Sequence, residues 1–139
     1  MAFHPYLYLD GNCRAAFTRY HEIFGGDLVI MTGHDAPPDA GIPEDKVDLV
    51  MHAALTIGDD LLMASDNYDD GFSPMAAVFV HYSTKDLDDA RAVFDGLGAG
   101  GTIHQPGHEE FWTPFFGSCT DEFGVQWQVS VEMEPEAAG

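Results

Sequence analysis

Positive charge is scarce in this 139-residue chain: Lys and Arg number 5 against 24 Asp and Glu, a formal net charge of −19. Such a surface repels a phosphate backbone instead of releasing its counterions, and it repels an anionic lipid surface for the same reason. Nucleic acid and membrane are therefore not expected partners. Cysteine is scarce as well. Cys13 and Cys119 are too few for a disulfide framework and have no CxxC spacing, so two reduced, buried thiols are expected. No stretch approaches the ~18 consecutive apolar residues of a spanning helix. Polar and acidic residues break up MAFHPYLYLDGNCRAAFTRY where a signal peptide needs an unbroken apolar run, so a cytoplasmic protein is expected. Also missing are GxxxxGKS/T, a strand-linked GxGxxG, GxSxG and HExxH. Nucleotide cradling, a nucleophile elbow and zinc-peptidase chemistry thus lack their signatures.

What the chain does contain is acid in turn-like clusters, Asp59-Asp60, Asp69-Asp70 and Asp86-Leu87-Asp88-Asp89, which suit a solvated surface and loop chemistry. The length fits a single compact domain over residues 1–139. Phe3 to Leu9 reads as a strand ending at Asp10-Gly11, with Asn12 placed to cap a helix. Cys13, Ala16, Phe17, Tyr20, Ile23 and Phe24 then share one helical face, and Gly25-Gly26 terminates it. Strand patterns follow at Asp27 to Thr32, Leu49 to Ile57 and Leu61 to Ser65, with a Pro- and Asp-rich loop before the second and a hairpin at Gly58-Asp59-Asp60 before the third.

After a polar connector over 67–76 the same order begins again. Val78 to Ser83 reads as a strand, and Leu87, Ala90, Val93, Phe94 and Leu97 mark a helix whose N-terminus carries Asp86, Asp88 and Asp89. Further strands are expected at Gly101 to Gln105, Pro114 to Thr120 and Val125 to Val131. Ala16, Tyr20 and Ile23 repeat at one constant spacing as Ala90, Phe94 and Leu97, the mark of a tandem duplication. The expected fold is α+β: two βαβββ modules, 3–66 and 77–131, forming a half-open barrel with the helices outside and a concave small-molecule cavity.

This layout, with PYLYLDGNCRAAFTRYHEIFGG, MHAALTIGDDLLMASD and EFWTPFFGSCTDEFGVQWQV in order, resembles the vicinal oxygen chelate (glyoxalase/bleomycin resistance/dioxygenase) superfamily, most closely its PhnB-like branch. The resemblance spans residues 3–131. In the superfamily's metal-dependent members, the first and last strands of each module present His and acidic ligands to one divalent ion. Here the resemblance implies Pro5 and Phe79 at the first-strand positions, about Met63 and Gln128 at the last-strand ones. That leaves one neutral oxygen donor, so no metal and no cofactor are expected. A one-residue slip would instead put His4 in the place of Pro5. Relatives in this branch are sometimes labelled demethylubiquinone methyltransferases, but this chain has no Gly-rich strand-to-helix turn to hold a methyl donor.

Residues two apart on a strand share a face. Phe79 therefore carries His81 and Ser83 with it, and Gln128 carries Gln126 and Ser130, leaving Trp127 to the core. The expected ligand-binding residues are His52, Met63, Phe79, His81, Trp112, Gln126 and Gln128, with His81 the foremost candidate for a polar anchor or general base. No catalytic residue is assigned. His104 and His108 lie in a segment read as loop, where spacing of four does not converge. The function this implies is a PhnB-like small-molecule-binding protein with an apolar cavity. The alternative is a metal-dependent lyase or dioxygenase using a displaced set such as His4, His52 or His81 with an acid. A homodimer is expected from the family's habit of completing its cavities against a second subunit and from the aromatic run Phe111 to Phe116.

Overall fold

The computed structural model describes residues 1–69 and 71–133, so Asp70 of the connector and the last six positions of the expected domain lie outside the described residues. The chain divides into two compact units, Met1–Pro74 and Met75–Gly139.

The first unit runs β1 (Tyr6–Leu9), α1 (Cys13–Phe24), β2 (Asp27–Thr32), β3 (Val50–Ile57) and β4 (Asp60–Asp66), with two single 3-10 turns between β2 and β3. Its four strands lie in the order β1-β4-β3-β2. β1 and β4 are parallel and the other pairs antiparallel. The alternation of β1 decides its orientation: Leu7 and Leu9 are buried, Tyr6 and Tyr8 exposed. The same side of β2, β3 and β4 meets α1, whose Cys13, Ala16, Phe17 and Tyr20 are inaccessible to solvent. Burial of a side chain the size of Phe17 or Tyr20 stabilises by roughly 1.5–3 kcal/mol. Gly25 stops the helix at φ 73°, in the left-handed region that favours glycine.

The second unit repeats the order as β5 (Val80–Thr84), α2 (Leu87–Gly98), β6 (Thr102–Glu110), β7 (Thr113–Thr120) and β8 (Gln126–Val131), in a sheet ordered β5-β8-β7-β6. Ala90, Val93, Phe94 and Leu97 of α2 are buried, and Phe94 meets Phe115 edge-on with ring centroids 5.7 Å apart. Gly117 makes the close approach possible, since a Cβ there would lie 2.8 Å from the Phe94 ring. The architecture is α+β, two tandem βαβββ modules whose sheets each end in free edges instead of closing into a barrel.

Three expectations need correction. The first strand starts at Tyr6, not Phe3. Asn12 does not cap α1 through its side chain. The buried Asp66, at the end of β4, does that work from across the sheet, accepting from the backbone N–H of Cys13 at 3.0 Å and from that of Val50 at 2.9 Å. Finally, the segment from His104 to Glu110 belongs to β6 and is not a loop. Pro106 and Gly107 are tolerated because β6 is an edge strand whose pairing with β7 shifts register at three points. By contrast α2 is capped as its sequence suggests, with Asp86 Oδ1 accepting from the N–H groups of Asp88 and Asp89.

Candidate functional site

Each sheet has a face turned away from its helix, and register fixes what stands on it. In module two, His81 pairs with Gln128 and Ser83 with Ser130. Phe116 stands opposite Ser130, Ser118 opposite Gln128 and Thr120 opposite Gln126. Trp127, Val129 and Val131 alternate with these and are buried. Phe79 lies just ahead of β5, 37% exposed.

His81 is held at both ring nitrogens. Its Nδ1 lies 3.0 Å from Gln128 Oε1 and its Nε2 2.8 Å from Ser130 Oγ. The amide oxygen only accepts, so Nδ1 carries the proton; in the neutral ring the Ser130 hydroxyl then donates to Nε2. Gln126 is tied differently, its Nε2 donating to the backbone carbonyl of Val78 at 2.8 Å. Trp112 sits on the β6–β7 turn, its ring edge-on to Phe116 at 5.4 Å. His81, Gln126 and Gln128 thus share one face, as alternation required, while Trp112 reaches it through Phe116.

In module one the corresponding pair is Tyr6 and Met63. The first-strand position therefore falls one residue after Pro5, and His4, of the same parity as Tyr6, lies ahead of the strand. The reason is the strand-to-helix link. Asp10, Gly11 and Asn12 separate β1 from α1, whereas Lys85 and Asp86 alone separate β5 from α2, so counting back from the helix shifts the register by one. In module two, where the link is one residue shorter, the counterpart of Tyr6 is His81, two residues after Phe79. His52, whose side spacing could not fix, stacks on Tyr6 with ring centroids 5.9 Å apart and places Nδ1 3.3 Å from the Tyr6 hydroxyl. Tyr6 and Tyr8 escaped sequence reasoning, although the YLYL alternation carried the signal once the leucines are assigned to the helix side.

The remaining histidines do not converge. His104 Nε2 is 2.7 Å from Thr120 Oγ1. His108 donates from Nδ1 to the carbonyl of Pro106 at 2.6 Å and from Nε2 to Glu110 at 2.9 Å. The bond to the Pro106 carbonyl, reinforced by Glu110, raises its pKa. Among the described residues no group of three or more His, Cys, Asp or Glu could hold a metal ion. Module two also has an open recess of about 560 Å³, but it lies on the helix side, lined by Arg91, Phe94, Ile103, Pro106 and Phe115, away from every residue proposed from sequence.

The thiols are not poised for chemistry. Burial, with Asp66 nearby adding to it, pushes Cys13 up to about 12. Burial, followed by the charge of Asp121, pushes Cys119 up to about 11. Neither should react with a thiol-specific disulfide reagent at pH 8 in the folded protein, and both should react once it is denatured. These raised values also set a stability window. Below the ordinary thiol value of 9.0 both folded and unfolded chains keep the proton; above it only the unfolded chain releases it, so stability should decline toward pH 11–12. Denaturant midpoints measured across that range, unchanged within error, would refute the second expectation.

A family model described as 3-demethylubiquinone-9 3-methyltransferase matches residues 1–130. The chain is similar to Protein YjdN of Escherichia coli, 27% identical with 94% of this chain and 95% of that protein covered. Its fold matches the crystal structure of protein PA1353 from Pseudomonas aeruginosa at a TM-score of 0.88 and 35% identity, covering 96% and 99% of the two chains. A glyoxalase/bleomycin resistance protein/dioxygenase family enzyme from Burkholderia phytofirmans matches at a TM-score of 0.63 and 8% identity, over 94% and 97%, a likeness of fold alone. Matching that family model over almost all of its length, and sharing its fold with a glyoxalase/bleomycin resistance protein/dioxygenase family enzyme, the chain belongs to the family described as 3-demethylubiquinone-9 3-methyltransferase.

Proposed function

We propose that this protein is a cytoplasmic small-molecule-binding member of its family, with the ligand seated on the open face of module two against His81, Gln126 and Gln128. Phe79 and Trp112 border the site, and His52 and Met63 form the corresponding face of module one. The observation that carries the reading is the bonding of His81. With both nitrogens engaged by Gln128 and Ser130, the imidazole leaves no lone pair for a metal and fixes the Gln128 amide in one orientation on an uncharged face, as a binding site needs. The family description names a methyltransferase; against that activity stands the β1–α1 link, Asp10-Gly11-Asn12, with a single glycine and no Gly-rich turn.

Metal-dependent lyase or dioxygenase chemistry finds less support. A hard-oxygen site requires several converging donors, and the paired positions here hold Tyr6 with Met63 and His81 with Gln128. Titration calorimetry with Zn, Ni, Mn and Fe(II) is expected to give no tight one-to-one site, and Gln128→Glu is expected to create none. A tight site abolished by His81→Ala or His4→Ala would overturn the proposal.

A homodimer belongs to the same reading. Phe111 is 99% exposed and Trp112 45%, apolar surface that a lone acidic monomer would leave in water. Light scattering at micromolar concentration should give twice the chain mass of 15.2 kDa. A monomer would overturn the assembly.

A further inference from the structure

Resting on the binding role proposed for module two, a further step names the chemistry of the ligand. The chain has 24 acids and 5 bases, yet the open face of β5, β7 and β8, from Ser83 to Thr120, carries only hydroxyls, amides, one imidazole and the Phe116 ring. None of the Lys and Arg residues lies on a strand of either module. Beside it on β6, His104 Nε2 lies 2.7 Å from Thr120 Oγ1, and His108 and Glu110 bond each other at 2.9 Å. An anionic ligand would meet no fixed cation there and would enter the field of a strongly negative chain. A cationic ligand would lose its hydration without meeting a carboxylate on those strands.

The two glutamines complete the argument because they are used in opposite senses. Gln128 receives the His81 Nδ1–H at its oxygen, and its amide nitrogen makes no hydrogen bond among the described residues. Gln126 donates from its nitrogen to Val78, and its amide oxygen makes none. One strand thus presents a free N–H donor and a free carbonyl acceptor two residues apart, roughly 7 Å along β8. On the neighbouring strand Phe116 stands two residues from Ser118, the residue opposite Gln128, with the Trp112 ring edge-on to it. The geometry points to an uncharged, planar ligand that offers a carbonyl-type acceptor to Gln128 and an N–H or O–H donor to Gln126, lying against the Phe116–Trp112 pair.

Three fluorescent or absorbing probes test this on the intact protein: aminomethylcoumarin, a neutral bicycle with one lactone carbonyl and one aromatic amine; its acetate, the same ring made anionic; and N-methylquinolinium, a planar cation. The neutral probe should bind at least about tenfold more tightly than either charged one. Gln128→Leu and Gln128→Glu should each weaken it about tenfold, the effect of one lost hydrogen bond. Gln128→Glu keeps an oxygen for His81, so its loss reports the missing N–H donor and not a displaced imidazole. Equal or tighter binding of the acetate or the cation would overturn the ligand class and leave the binding role standing. Wild-type affinity in Gln128→Glu would overturn the donor assignment, and failure of all three probes to bind at millimolar concentration would overturn both this inference and the binding role.

Discussion

Asp121→Ala should destabilise the protein by about 4 kcal/mol, since each hydrogen bond to a charged acceptor is worth about 1.5–3 kcal/mol and several are lost together. Asp121 is 6% exposed at the end of β7. Its Oδ1 accepts from the backbone N–H groups of Phe123 and Val125, each at 2.9 Å, and its Oδ2 from the indole N–H of Trp127, also at 2.9 Å. The carboxylate closes the β7–β8 turn with one oxygen and anchors the largest core ring of module two with the other. Alanine would remove this carboxylate acceptor from the indole N–H in a site where Trp127 is 2% exposed. The melting temperature should fall by roughly 10–15 °C for a chain of this size. Asp121→Asn, which keeps one accepting oxygen for the turn but turns an N–H₂ toward the indole or the reverse, should lose about half as much. A urea unfolding free energy for Asp121→Ala within about 1 kcal/mol of wild type, at unchanged slope, would refute this account.

Asp66→Ala should cost about 3 kcal/mol on the same reasoning, this time in module one. The carboxylate is 2% exposed and joins the first turn of α1, through Cys13, to the start of β3, through Val50. No neighbour replaces it, because the Asn12 side chain makes no cap bond. A second measurement separates this role from loss of packing alone. The charge of Asp66 adds to burial in raising the Cys13 thiol, so its removal should lower that pKa and speed alkylation of Cys13 relative to Cys119 at alkaline pH. Equal stability in the variant, or an unchanged alkylation ratio in a variant that folds, would count against the assignment.

The sequence by itself determined the element order, because hydrophobic periodicity is local. The face Ala16, Tyr20 and Ile23, and its repeat Ala90, Phe94 and Leu97, marked both helices and the duplication. The same alternation put His81, Gln126 and Gln128 on one side of the second sheet and Trp127 on the other. Tertiary structure decided whatever depended on register or on partners distant in sequence. The first strand could not be aligned by counting from the helix, because the two strand-to-helix links differ by one residue, and a one-residue change inverts every side chain of a strand. Tyr6 therefore stands on the face assigned by count to Pro5. Likewise Asn12 had the local signature of a helix cap, but Asp66, fifty-three residues from Cys13, supplies the bond to its N–H. His104 to Glu110 read as loop from Pro106 and Gly107, yet an edge strand absorbs both through shifts in its pairing with β7. Local pattern fixes which face a residue can share; only the pairing of strands, set by side chains far apart in sequence, fixes what stands beside it.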